Sequence, residues 1–357
     1  MNAASRVVMS AIALACSQAG IVTRAGIAAI VLLLPLTARA EPVTLKLSFY
    51  TSDRSNIYQN SIKPFVDAVN RDGKGLIEIQ VEFSSAITRL HAQIPQLIAD
   101  GKTDMAHIVP GLTPGKFSDT AVMELPGLYR DSREAGLVFT HLIQRGALKG
   151  YKDVFVIGAF VSEPENIHSR KPIASINDLK GLTIRANNQI ESDVLKKLGA
   201  TPQLIAINKT TDAVSSGKVD GATFPPSMLF EFGVGRITKY HYMVQLGGAP
   251  TALVMSRKKF ESLPMKAQAI IRKYSGRWLI DQSATSMDAL DKKILAELEA
   301  DPRRKVVFPS PADLGKARKV FASVIEEWAA KSPHNRELLA LVKSEIAKLR
   351  SSKETRP

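Results

Sequence analysis

Between Val43 and Val109 the chain alternates short apolar strands with helical stretches, and this alternation constrains its fold more than any other feature. Val43–Phe49 alternates apolar and polar side chains, as a half-buried strand does. Residues 57–69 place Ile57, Ile62, Phe65, Val66 and Val69 at helical spacing and stop at Asp72-Gly73. Leu76–Phe83 reads as a second strand and Asp104–Val109 as a third. Residues 87–99 between them read as a helix in which Pro95 marks the first turn or a kink. A β-α-β-α-β opening predicts a largely parallel, doubly wound α/β sheet, because parallel neighbours need a crossover and a helix supplies it. Ligands of such sheets sit beyond the carboxyl ends of the strands. The loops Tyr50–Ser55 and Val109–Leu112 are therefore expected to line a cleft, with Tyr50, Ser52 and Pro110 facing it.

A helix from about Ser132 to Ile143 and a strand Val154–Phe160 follow, and Ser162–Asn166 is expected to cross into a second domain. There, Asp178-Leu-Lys-Gly-Leu-Thr-Ile-Arg185 reads as a turn and a short strand that delivers Arg185, followed by Ala186 and Asn187, at its end. The strand Val219–Phe224 ends nearby, so Arg185 and Phe224 are expected to emerge at one crevice. A guanidinium there, with five donors in a rigid fork, suits bidentate capture of a carboxylate. Tyr242–Leu246, the turn Gly247-Gly248-Ala249-Pro250 and Thr251–Ser256 read as a strand, a pocket-edge turn and a return strand. Ser262-Leu-Pro264 opens a helical stretch to about Glu299, with a kink expected at Gly276. Unbroken, it would be about 55 Å long and would brace both domains. Helices near 311–330 and 335–349 complete the chain. The expected organisation is 41–162 with 250–280 as one lobe, 163–249 with 281–350 as the other, and 351–357 as a flexible tail.

The first forty residues contain Arg6, Arg24 and Arg39, no acidic residue, and a mostly apolar run Gly26–Leu36 too short to span a membrane. Thr37-Ala38-Arg39-Ala40 follows the small-x-small rule for signal peptidase, so 1–40 reads as a cleaved signal peptide and the mature chain as periplasmic, starting near Glu41. Cys16, the only cysteine, lies in this leader, which leaves the mature protein without a disulfide, a thiolate nucleophile or a cysteine metal site. Loss of the three arginines lowers the net charge from +14 to +11. The basic residues are scattered and lack aromatic platforms, which argues against nucleic acid and for a general attraction to anions.

Six histidines are dispersed without metal-ligand spacing, and no nucleophile elbow, Walker loop or dinucleotide fingerprint occurs. Glu163 and Glu165 flank Pro164, a pair that could do acid–base work, though loop carboxylates are ordinarily solvated. The absence of a nucleophile, a metal set or a cofactor cradle favours capture of a ligand without chemistry, with no cofactor and no metal. The alternatives are a secreted lyase or hydrolase using Glu165 and His168, and a sensor subunit with the same cleft.

A set of segments in order carries a resemblance: Asp100-Gly-Lys-Thr-Asp-Met105, Glu124-Leu-Pro-Gly-Leu-Tyr-Arg-Asp131, Asp178–Arg185, Leu198-Gly-Ala-Thr-Pro202, Ser216-Gly-Lys-Val-Asp-Gly221 and Phe260-Glu-Ser-Leu-Pro264. Over Val43–Ala330 the chain resembles the extracytoplasmic solute receptors of TRAP (tripartite ATP-independent periplasmic) transporters. The resemblance implies a two-lobed periplasmic binding protein, a monomer that is not embedded in the membrane. A long helix would span both lobes. The lobes would close on a small organic acid and hand it to a membrane permease. It also implies that Arg185 pairs with the ligand carboxylate. Relatives that bind sialic acid carry a second arginine where Glu165 stands, and Gln-Glu-Asn-Pro where Ala222–Pro225 stands, so Glu165 would repel a second carboxylate or receive an amine or hydroxyl. Phe224 resembles the tryptophan of receptors for 2-oxo acids, but Thr223 replaces their metal-holding glutamate. The expected ligand is a monocarboxylate with an apolar or aromatic body, held by Arg185 and packed on Phe224, with Asn187, Glu165 and Gly248 also at the site. Loss of the Arg185 side chain is expected to weaken binding by about a hundredfold and leave the fold intact.

Overall fold

A computed structural model describes residues 41–83 and 91–351. The expected leader 1–40, part of the expected helix 87–99 and most of the expected tail lie outside the described residues. Eleven strands are described: β1 (Val43–Phe49), β2 (Ile77–Phe83), β3 (Met105–Ile108), β4 (Val154–Val161), β5 (Asn166–Ser169), β6 (Thr183–Ala186), β7 (Thr201–Leu204), β8 (Gly221–Phe224), β9 (Tyr240–Tyr242), β10 (Pro250–Ser256) and β11 (Lys305–Val307). They form two sheets, ordered β2-β1-β3-β10-β4 and β11-β9-β5-β8-β6-β7, and each carries helices to make one lobe of an α/β fold.

In the first sheet β1 pairs in parallel with β2 and β3, as the opening alternation requires. Leu45, Leu47 and Phe49 of β1 are fully buried on one face. The sheet is nevertheless mixed, because β10 runs antiparallel between β3 and β4. β9 and β10 do not form the expected strand-and-return pair: β9 belongs to the second sheet, so residues 243–249 are a crossing between lobes. Alternation reports a half-buried strand but not which sheet receives it.

Two crossings run side by side. Ser162 N donates to Ala249 O (3.0 Å), and Leu246 N donates to Glu165 O (2.8 Å). A Cβ at Gly248 would stand 2.4 Å from Ser162 O and 2.8 Å from Val161 Cγ1, so only glycine allows this approach.

The third crossing is helical. Met265–Lys273 and Arg277–Ala300 continue one stretch across Gly276, whose φ of 61° and ψ of −127° fall where L side chains are strained. Its N–H donates to Ile157 O (2.6 Å), tying the break to β4. The 24-residue helix Arg277–Ala300 touches Ser132–Gln144 on one side of the molecule and Pro226–Leu229 on the other. Near the N-terminus the expected helix begins as a π-turn, Tyr58–Ile62, and continues as Lys63–Asp72, where Pro64 removes one N–H from the ladder. Ile94–Ala99 starts with Pro95 in its first turn, as expected. Pro311–Ala330 packs on Gln189–Lys197, and Pro333–Ser351 on Ser132–Gln144. No helix among the described residues is long and apolar enough to cross a membrane.

Candidate functional site

A cavity of about 810 Å³ lies where the carboxyl ends of strands from both sheets face each other. Tyr50, His107 and Phe160 line it from the first sheet, Arg185, Asn187 and Ile205 from the second, and Ser283 and Met287 from the long helix. Asn56, at the start of the helix that follows β1, already bridges to the other lobe: its N–H donates to Glu231 Oε2 (2.9 Å) and its Nδ2 to Ser227 O (2.6 Å).

β6 brings Arg185 to the cavity within the strand rather than beyond its end, and only 1% of the residue is exposed. Nε donates to Ile205 O (3.0 Å), Nη1 to Thr223 O (3.3 Å) and Nη2 to Asn187 Oδ1 (2.9 Å). These three bonds leave two of the five guanidinium N–H groups for other acceptors. Burial pulls the guanidinium below its ordinary value, against the opposing pull of Glu165 and Glu191, and it remains a cation. Among the described residues that line the cavity it is the only lysine or arginine.

Phe224 does not line the cavity. It lies behind Arg185, with the guanidinium 5.3 Å from its ring centroid and Phe232 stacked at 5.8 Å. Glu165 is also behind, buried, and accepts from Asn187 Nδ2 (3.2 Å). Burial, with Glu191 beside it, pushes its carboxyl well above the ordinary range, and Arg185 opposes this only in part. Glu165 Oε2 and Glu191 Oε1 are both buried without a conventional partner, as expected where one carboxylic acid gives its proton to another carboxyl. Burial and Glu191 thus both work against the repelling charge the sequence suggested for Glu165. Glu191 is fixed by Asn187 N (2.6 Å to Oε2) and by its own N–H donating to Asn188 Oδ1 (2.8 Å), the cap of helix Gln189–Lys197.

Tyr50 stacks on Phe49 (5.3 Å) and on His107 (5.5 Å), so the first lobe presents a flat aromatic wall. Ser52 is exposed and does not line the cavity; Pro110 is buried beneath Gly111 and Leu112, which do. Gly248 serves the crossing described above and also lies outside the lining. Three of the eight residues expected at the site, Tyr50, Arg185 and Asn187, thus face the cavity, while Glu165 and Phe224 support Arg185 from behind.

Two cavity carboxyls went unread or underread in the sequence. Burial pushes Glu124 up to about 8, and Glu163, near Asp291 and bonded to Ser132, to about 8 as well. Leu112 and Leu204, 45% and 55% exposed, line the cavity from opposite lobes.

His168 lies away from the cavity. Its Nδ1 is 2.8 Å from His241 Nδ1 and its Nε2 is 3.1 Å from Phe224 O. A carbonyl only accepts, so His168 carries its proton on Nε2. Burial pulls His168 down to about 4 and keeps it neutral, so its Nδ1 accepts from His241 Nδ1–H. His241 Nε2 is left to face Arg304 Nη1 at 3.5 Å. Both rings of the pair are committed to structure, which removes His168 as a partner for Glu165 in acid–base chemistry. Ring ¹⁵N shifts should show these two tautomers and no protonation of either imidazole between pH 8 and pH 5; a midpoint near 6.5 for either would overturn the arrangement.

The family described as bacterial extracellular solute-binding protein, family 7, matches residues 47–332. The C4-dicarboxylate-binding periplasmic protein DctP of Rhodobacter capsulatus is 22% identical over 258 residues, 70% of this chain and 75% of that protein. A marine metagenome TRAP solute binding protein specific for aromatic acid ligands, solved with metahydroxyphenylacetate, has a TM-score of 0.79 at 22% identity, covering 86% of this chain and 99% of its own. A TRAP solute binding protein from Rhodoferax ferrireducens T118, solved with copurified benzoate, has a TM-score of 0.75 at 25% identity, covering 86% and 98%.

Proposed function

Because this chain belongs to the bacterial extracellular solute-binding proteins of family 7, the receptors of TRAP transporters, we propose that it captures a small aromatic monocarboxylate in the periplasm and delivers it to a membrane permease. One observation carries the ligand class: among the described residues a single buried guanidinium, Arg185, lines an otherwise mostly apolar cavity whose far wall is the aromatic face of Tyr50. A carboxylate on Arg185 gains charge-assisted hydrogen bonds, and a flat apolar body fills the remaining space without stranding polar groups. A second carboxylate would meet no second lysine or arginine among the described residues of this lining. The two ligands named for the solved relatives above, metahydroxyphenylacetate and benzoate, have this character.

Closure follows from the same contacts. A ligand touching Tyr50 on one lobe and Arg185 on the other binds the closed form better than the open one and shifts the population toward it. We take the moving bodies to be 41–162 with 250–280, and 163–249 with 281–332. Helix Pro333–Ser351, packed on Ser132–Gln144, goes with the first. Residues 1–40 act as the export signal, so the secreted protein should have the intact mass of a chain beginning at Glu41.

The test is a thermal-shift screen on protein unfolded and refolded to strip any copurified ligand. Benzoate, mandelate and 3-hydroxyphenylacetate should raise the melting temperature, since a ligand at a hundred times its Kd stabilises by about 2.7 kcal/mol. Succinate and N-acetylneuraminate should not. Stabilisation by the latter two alone, or by none of the five, would rule the reading out.

A further inference from the structure

Glu124 ends the short 3₁₀ segment Ser118–Glu124, lines the cavity, and makes no side-chain hydrogen bond to any described residue. Its carboxyl faces Gly111, where a Cβ would stand 3.4 Å from Oε1. The other cavity carboxyl, Glu163, is bonded to Ser132. Glu124 therefore differs from the buried acids around it: Glu163, Glu165 and Glu191 are all engaged with the protein, while Glu124 faces the ligand space. Glu124 is only partly buried in the ligand-free chain, but a ligand that fills the cavity cuts its carboxyl off from solvent, which is costly unless the ligand completes its hydrogen bonding.

Building on the carboxylate reading above, we propose that Glu124 donates a hydrogen bond to a neutral oxygen on the body of the ligand. The site then selects carboxylates that also carry an ether, carbonyl or hydroxyl oxygen over their plain hydrocarbon counterparts. The proton is in place at neutral pH, because burial first and Glu191 second push Glu124 to about 8. Glu191 comes from helix Gln189–Lys197. The other elements packed on Ser118–Glu124 are Pro110–Leu112, Pro250–Ser256 and Pro333–Ser351. The first two hold no ionisable side chain, and the third brings His334 to Asp119 (3.0 Å) at the opposite end of the segment. An ammonium group would be the competing guest for an acid in this position. It would need Glu124 to release its proton on binding, whereas an oxygen acceptor would not.

The experiment uses isosteric probes that can only accept: 3- and 4-methoxybenzoate against 3- and 4-ethylbenzoate, by calorimetry on the stripped protein. At pH 6.5 at least one methoxy ligand should bind about tenfold more tightly than its ethyl partner. The ratio should fall to about one at pH 9.5 and in Glu124→Leu. In Glu124→Gln, which still donates but cannot ionise, the ratio should persist through pH 9.5; Glu163, pushed up to about 8, is still present in that variant, so it isolates Glu124. If Glu124→Leu does not fold, the pH series in wild type and Glu124→Gln decides alone. Equal binding of both series, or a preference that survives in Glu124→Leu, overturns this inference and leaves the carboxylate reading standing. Binding of neither series overturns both. Tighter binding of 4-(aminomethyl)benzoate than of either methoxy ligand, with about one proton released in buffers of different ionisation enthalpy, also overturns it and assigns the acid to a cation.

Discussion

Arg185→Ala is expected to weaken aromatic carboxylate binding by about a hundredfold and to lower the denaturation midpoint of the ligand-free protein. The first effect follows from truncating one partner of a buried charge pair, about 2–5 kcal/mol, with each tenfold worth about 1.4 kcal/mol. The second departs from the intact fold expected from the sequence. Arg185 holds Ile205 O, Thr223 O and Asn187 Oδ1, and alanine leaves all three without this donor. Arg185→Lys separates the two effects, since it keeps the charge but not the fork. Lysine should restore part of the stability while affinity stays at least tenfold below wild type. Calorimetry on stripped protein gives the affinity and urea denaturation the stability; wild-type affinity in Arg185→Ala would remove the residue from the site.

Phe224→Ala should lower stability by about 3–5 kcal/mol, the usual result of emptying a buried phenylalanine site. The side chain is 2% exposed and stacked on Phe232, in a cluster with Val219, Ala222 and Leu229. Affinity should fall as well, because the ring under the guanidinium contributes a desolvated cation–π contact of about 2 kcal/mol. Phe224→Leu tells support from direct contact. If the ring lies behind Arg185, leucine should change affinity for benzoate and for larger aromatic acids by the same factor. A selective loss of the larger ligands would place Phe224 against the guest.

The sequence made the framework legible where one physical signal was strong. The alternation of β1 and the apolar run of β4 gave those strands to within a residue, and the helix expected near 311–330 runs from Pro311 to Ala330. Gly276 announced the break in the long helix because a positive φ has few other occupants. β5, β7 and β11 were not legible: they are three or four residues long, too short for a period, and β7 carries Pro202, tolerated because it is an edge strand. At the site, strand exits pointed to Arg185, Asn187 and Tyr50. Depth was the quantity the sequence could not convey. Phe224 and Glu165 have the chemistry of contact residues but lie one layer back, and Ser52 has the chemistry but lies on the surface. Glu124 sits in the motif Glu-Leu-Pro-Gly, where the proline and glycine explained the segment and drew attention from the acid.

The position of β10 dictates the order in which this molecule can be assembled. β3 and β4 do not pair with each other; the strand that joins them is encoded some ninety residues after β4 ends, beyond five of the six strands of the second sheet. Until that late segment arrives, both neighbours are exposed edges with unpaired peptide groups. Such distant pairing is slow, since a long loop must close before any contact rewards it. The two lobes are therefore neither made in sequence nor separable by cutting the chain between them, and a fragment ending before Pro250 would carry a gap through the centre of its first sheet.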